Sequence, residues 1–207
     1  EVLTDPSYAG QAVCMTYPLI GNYGICKEDM ESDRPWPDGF LVRELSRIPS
    51  NFRCDMTIQQ FLEENNVPGI AGIDTRALTK ILREKGTMNG MITTNASYDL
   101  SEVLPALRAY KTGDVVKKVT CRQKKEIHGV KSLAENGPLS GAARFDEEAF
   151  KQGIREKKPA IVKQLNGTGL NVALMDFGAK KNIADSLAAR GCDVTIYPAD
   201  TKAEEII

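Results

Sequence analysis

The chain has 207 residues, 27% charged and 42% hydrophobic, with a formal net charge of −1. These values suit a soluble globular protein of one or two domains and give no electrostatic case for nucleic acid or an anionic membrane as a partner. No apolar run approaches the ~20 residues of a membrane span, and five widely spaced cysteines without a Cys-x-x-Cys pair point to free thiols of a cytosolic protein.

The chain opens on Leu3-Thr4-Asp5-Pro6-Ser7-Tyr8. Asp5-Pro6-Ser7 reads as a turn, with Pro6 fixing φ and Asp5 and Ser7 able to bond nearby amides. The residues leave two roles open for Ser7: a hydroxyl that only caps the turn, or one presented to a ligand on a rigid scaffold. Residues 11–17 are apolar and β-prone and predict a strand ended by Pro18. Gly21-Asn22-Tyr23-Gly24 is a second turn. Residues 26–39, interrupted by Pro35-Trp36-Pro37, read as a surface loop, and Phe40-Leu41-Val42 as a short strand.

Thr57 with Gln60 forms a capping box ahead of the helical stripe Ile58, Phe61 and Leu62. Ile70-Ala71-Gly72-Ile73 predicts a short buried strand. Asp74 or Thr75 then caps the clearest helix, with Leu78, Ile81 and Leu82 on one side and Gly86 as its stop. Its basic residues read as a solvated face, because phosphate would more naturally meet a helix start. Met91-Ile92-Thr93-Thr94 predicts a strand. Leu100, Val103, Leu104 and Leu107 predict another helix, with Pro105 near its first turn.

Residues 114–141 are Lys-rich and weakly periodic, which suits a solvated linker. A weak helical stripe follows at 146–156. Val172-Ala173-Leu174-Met175 is continuously apolar, as a strand buried on both faces would be. Asp176-Phe177-Gly178 turns into a helix carrying Ile183, Leu187 and Ala188, and Val194-Thr195-Ile196-Tyr197 is a second strand. This predicts a right-handed βαβ unit with parallel strands. Val172, Leu174, Val194 and Ile196 would then lack covering elements. Residues 203–207 read as the start of a further helix.

No catalytic or metal constellation is legible. Asp176-Phe177-Gly178 spells the kinase magnesium motif without its companion loops, and Gly167-Thr168-Gly169 precedes its strand, unlike a dinucleotide fingerprint. His128 is the sole histidine and lies in the linker, while Cys192 enters a strand, the reverse of a nucleophile elbow.

Several motifs in order do carry a resemblance. Thr4-Asp5-Pro6-Ser7-Tyr8, Thr16-Tyr17-Pro18 and Gly21-Asn22-Tyr23-Gly24 are joined by Glu31-Ser32-Asp33, Val42-Arg43-Glu44-Leu45 and Pro49-Ser50-Asn51-Phe52-Arg53. Gly69-Ile70-Ala71-Gly72-Ile73-Asp74-Thr75-Arg76, Leu82-Arg83-Glu84-Lys85-Gly86, Asn89-Gly90 and Asp176-Phe177-Gly178-Ala179-Lys180-Lys181-Asn182-Ile183 follow. Together they resemble the small, glutaminase subunit family of carbamoyl-phosphate synthetases.

The resemblance implies an α/β fold. Residues 1–112 would be a small mixed β/α N-terminal domain lacking its first strands, 113–169 a connecting segment, and 170–207 the truncated start of a doubly wound class I glutamine amidotransferase domain. It places a glutamine contact on Ser7. That family's Gly-x-Cys-x-Gly-His elbow is absent from the sequence, so residues 1–207 alone are expected to be an inactive fragment. The intact protein would hydrolyse glutamine through a cysteinyl thioester and pass ammonia to a large subunit. Bicarbonate, ATP and Mg would act there, with no cofactor in this chain, to make carbamoyl phosphate for pyrimidine and arginine synthesis in the cytoplasm. The alternative is a noncatalytic assembly module that only binds a partner subunit.

Overall fold

A parallel sheet built around Phe40 and Val42 organises the first part of the molecule in the computed structural model, which describes residues 1–129 and 169–207. Contacts divide the chain into two units, 1–118 and 119–207. The predicted helix at 146–156 and the Gly167-Thr168 pair lie outside the described residues.

In the first unit, β1 (Ala12–Met15), β2 (Gly39–Val42) and β3 (Gly69–Ile70) pair in parallel in the order β1-β2-β3. Phe40 and Val42, two residues apart, point to one face of the pleat and are 3% and 2% exposed. Leu3, Val13, Phe61 and Leu62 close the core around them. Each such side chain contributes roughly 1.5–3 kcal/mol on burial. Gly39 lies under the tip of Ile92: a Cβ there would lie 2.3 Å from Ile92 Cδ1, so the isoleucine side chain would have to shift.

Helix α1 (Ile58–Glu64) starts where the sequence predicts. The Thr57 side chain accepts from Gln60 N at 3.1 Å, and Gln60 Oε1 accepts from Thr57 N at 3.0 Å. Parallel neighbours need a long crossover, and α1 lies on the one between β2 and β3, so a βαβ arrangement occurs here as well as near the C-terminal end. Helix α2 (Thr75–Lys85) is capped by Asp74, whose carboxylate accepts from Ala77 N at 3.0 Å, and it ends at Gly86 with φ +80°.

Four expectations for this unit are corrected. The strand at 70–73 is only Gly69–Ile70 and is not buried, because Gly72 turns the chain at φ +89°. Residues 91–94 form no strand, although Ile92 packs over Gly39. Pro105 sits in the second turn of α3 (Leu100–Ala109), where it removes the N–H that would reach back to Ser101. Residues 26–39 are irregular but only partly a surface loop: Cys26, Glu31, Pro35 and Pro37 are buried.

In the second unit, β5 (Asn171–Asp176), a helix at Lys181–Ala188 and β6 (Asp193–Pro198) form the expected parallel βαβ unit. In chain order the helix is α5, after the short α4 (Val116–Val119). Strand β5 alternates exposed Asn171 and Ala173 with half-buried Val172 and Leu174, so it is not covered on both faces. Residues read as linker supply a third strand, β4 (Lys125–Ile127), antiparallel to β6. With α5 it covers what a two-stranded unit would leave open: Val194 is 1% exposed and packs with Ala184 and Cys192. Residues Ala203–Glu205 make one 3-10 turn. Among the described residues no helix is long and apolar enough to cross a membrane.

The capping box is local enough to test alone. Thr57→Ala should destabilise the first unit by about 1 kcal/mol. Trp36, the only tryptophan, lies in this unit, so urea unfolding followed by its fluorescence should show a lower midpoint with unchanged slope. An unchanged midpoint would show that the cap adds nothing beyond tertiary packing.

Candidate functional site

Ser7 stands on a turn whose neighbours are nearly all inside the protein. Leu3, Thr4, Asp5 and Pro6 are buried, while Ser7 is exposed. Two 3-10 turns, Val2–Thr4 and Pro6–Tyr8, meet at Asp5. The Asp5 carboxylate accepts from Ser7 N at 2.9 Å, and Ser7 O accepts from Gln11 Nε2 at 3.0 Å. Gly10, at φ +78°, then turns the chain into β1. Asp5, not Ser7, therefore caps the turn. The Ser7 hydroxyl makes no hydrogen bond among the described residues and stands free to donate to or accept from a ligand.

The segment ahead of Ser7 is gripped by residues far along the sequence. Thr4, 2% exposed, donates its hydroxyl to Glu1 O and accepts from Glu31 N at 3.0 Å. Ser32 Oγ donates to Thr4 O at 2.6 Å and accepts from Trp36 Nε1 at 2.8 Å. Trp36 N donates to Leu3 O at 3.0 Å, and the Arg34 guanidinium lies 3.8 Å from the indole centre. Trp36, in the stretch read from sequence as a surface loop, is half-buried and part of this network. A cavity of about 510 Å³ borders the same segment and is lined by Leu3, Met15, Ile20, Ile25, Phe40 and Ile58 among others. Ser7 is not on its wall.

In the second unit, Asp176 anchors the turn after β5. Its Oδ1 accepts from Gly178 N at 3.0 Å and Ala179 N at 2.9 Å, and its Oδ2 from Cys121 N at 2.7 Å. The Asp-Phe-Gly run is thus a folding device here, with Gly178 at φ +97°. His128 follows β4 rather than lying in an irregular linker, and its Nδ1 is 3.5 Å from the Asp193 carboxylate. Cys192 is 5% exposed and belongs to the core.

All five cysteines are free thiols. Burial, and then the neighbouring Asp29, push the Cys26 thiol up; burial, and then Asp176, do the same to Cys121. Neither has the lowered pKa of a nucleophile. Among the described residues no three His, Cys, Asp or Glu side chains converge to hold a metal.

Sequence reading places Ser7 on a turn set by Asp5 and Pro6 but misses Glu31, Ser32 and Trp36, which bond the Leu3-Thr4 segment ahead of it. The only signal was the unexplained Glu31-Ser32 pair and the lone tryptophan, 24 to 29 residues from Ser7 in sequence. Asp176 was legible as a turn residue, but its bond to Cys121 was not. Replacing Asp176 by Ala would strand three partly buried N–H donors, at about 1–3 kcal/mol each. Hydrogen exchange should quicken at the amides of Gly178, Ala179 and Cys121, with those of β1 and β2 as the internal control. Unchanged exchange at the three amides would show that another acceptor holds the turn.

The comparisons with known proteins agree along the chain. Residues 1–92 match the family described as carbamoyl-phosphate synthase small chain, CPSase domain. The carbamoyl phosphate synthase small chain of Clostridium perfringens is 44% identical over 207 residues, covering all of this chain and 48% of that protein. Those of Syntrophotalea carbinolica and Pseudomonas syringae are 41% and 39% identical, each covering all of this chain and 50% of the relative. The chain spans about half the length of the curated relatives it matches. The family model matches residues 1–92 and the named relatives match all 207 residues, so the whole chain is similar to about half of a carbamoyl-phosphate synthase small chain.

Proposed function

We propose that the whole protein is the glutamine-hydrolysing small subunit of a carbamoyl-phosphate synthase, and that residues 1–207 contribute one glutamine contact, Ser7. The observation that carries this reading is the free hydroxyl of Ser7 on a turn fixed by Asp5, Pro6 and the buried Thr4, in a chain similar throughout to such small chains. A hydroxyl can donate to the carboxylate of glutamine or accept from its ammonium group.

In the proposed reaction a cysteine thiolate adds to the side-chain amide carbon of glutamine. The carbon–nitrogen bond breaks, ammonia leaves with a proton from a general acid, and a thioester remains. Water then cleaves the thioester to glutamate and regenerates the thiol. Residues 1–207 do not offer that nucleophile: Cys192 is in the core, and His128 faces Asp193. Ser7 would hold substrate and take no part in proton transfer. Ammonia would pass to the large synthetase subunit, where bicarbonate and ATP with Mg complete carbamoyl phosphate for arginine and pyrimidine synthesis. The setting would be the cytoplasm.

Two measurements test this. The 207-residue chain should release no ammonia from glutamine above background, with Cys192→Ala as the control; turnover abolished by Cys192→Ala would overturn the reading of that thiol. In the whole small chain assembled with its partner, Ser7→Ala should raise KM for glutamine with kcat nearly unchanged, the mark of lost uniform binding. One hydrogen bond is worth ~0.5–3 kcal/mol, a few-fold to about a hundredfold. Ammonia-driven synthesis should be untouched. Equal impairment with both nitrogen donors would make Ser7 a structural residue, and no ammonia release from glutamine by the intact assembly would favour the noncatalytic module.

A further inference from the structure

We propose that Ser32 is a positioning residue for glutamine binding, acting through the backbone of Leu3-Thr4 to fix the Ser7 hydroxyl. The proposal rests on the reading of Ser7 as a substrate contact, and it assigns a role to a residue that need touch no substrate.

The geometry is a short lever. Ser32 Oγ is the junction between two chain segments: it donates to Thr4 O at 2.6 Å, with Arg34 O a more distant second acceptor at 3.1 Å, and accepts from the indole Nε1 of Trp36 at 2.8 Å. The indole is itself located by Arg34 over its ring and by Trp36 N bonding Leu3 O at 3.0 Å. From Thr4 to Ser7 few torsions are free. Asp5 is held at φ −81° and ψ 117°, Pro6 fixes its own φ, and Ser7 N is bonded to the Asp5 carboxylate at 2.9 Å. A displacement of the Thr4 carbonyl is therefore passed on to Ser7. A contact group must be held to within about 0.5 Å to keep its full effect.

Ser32 can be changed without dissolving the fold. Glu31 N still bonds Thr4 Oγ1, Trp36 N still bonds Leu3 O, and Leu3 remains in the core. What is lost is the tie that sets the carbonyl's exact height. A purely structural serine would change stability and leave the balance of KM and kcat alone. A positioning serine changes KM.

The experiment uses the whole small chain assembled with the large subunit, with glutamine and with ammonia as nitrogen donors. Ser32→Ala should raise KM for glutamine about three- to tenfold, the worth of one net hydrogen bond, with kcat within about twofold. Ammonia-driven synthesis should be unchanged. Ser32→Thr, which keeps the hydroxyl, should restore KM to within about twofold. Trp36→Phe, which removes the Nε1–H from the junction together with part of the ring under Arg34, should shift KM in the same direction as Ser32→Ala and keeps the question open to test if Ser32→Ala folds poorly. Because Ser32 acts through Ser7, Ser7→Ala combined with Ser32→Ala should match Ser7→Ala alone, as coupled sites do. A raised KM in Ser7→Ala with none in Ser32→Ala or Trp36→Phe would overturn the proposal and leave Ser7 standing. Fully multiplicative effects in the double variant would overturn it too. An unchanged KM in Ser7→Ala would remove the reading beneath it, and the proposal with it.

Discussion

The structure around Ser7 depends on the burial of Thr4. Its hydroxyl and its carbonyl both have partners from residues 31–32, 27 and 28 positions later in the chain. A buried hydroxyl or carbonyl without a partner costs about 1–3 kcal/mol, so segment 31–36 is obliged to come back to segment 3–4. That obligation folds the irregular stretch between β1 and β2 onto the core. It also fixes the only short piece of chain that separates Thr4 from Ser7.

From this constraint the rest of the first unit follows in order. Leu3 enters the core beside Phe40, Val42 and Phe61 because the turn next to it is held in place. Ser7 is pushed outward by the same turn, since Pro6 and Asp5 take the inward positions. A side chain made available in this way costs little entropy to bind, because its backbone is already ordered. The second unit solves a different problem. There a buried carboxylate, Asp176, gathers three backbone N–H groups and so shapes the turn from β5 into α5. Among the described residues, Asp5 and Asp176 both serve as turn anchors.

What could be read in the sequence was local. The Thr57–Gln60 box, the Asp74 cap and the Gly86 stop lie within a few residues of the groups they satisfy, and each is present. The βαβ unit was legible because strand, helix and strand follow one another. Long-range pairing was not. Lys125–Ile127 is charged and short, and only its partner β6 makes it a strand. Residues 91–94 have strand-like composition but pair with no strand among the described residues, so propensity alone gave nothing. Continuous apolar sequence in β5 suggested two covered faces, yet Ala173 remains exposed. The candidate site divides in the same way: Ser7 was visible as a turn hydroxyl, and the Thr4–Ser32–Trp36 network was not, because nothing local announces a bond made 28 residues away.

The central claim is that Ser7 touches glutamine from a turn that is already in place before substrate arrives. A crystal structure of the whole small chain, with its nucleophile substituted and glutamine bound, tests it most directly. The account predicts a polar atom of glutamine within about 3.2 Å of the Ser7 hydroxyl or amide, with Thr4, Ser32 and Trp36 bonded as they are here. Glutamine bound elsewhere, with Ser7 facing only solvent, would contradict it.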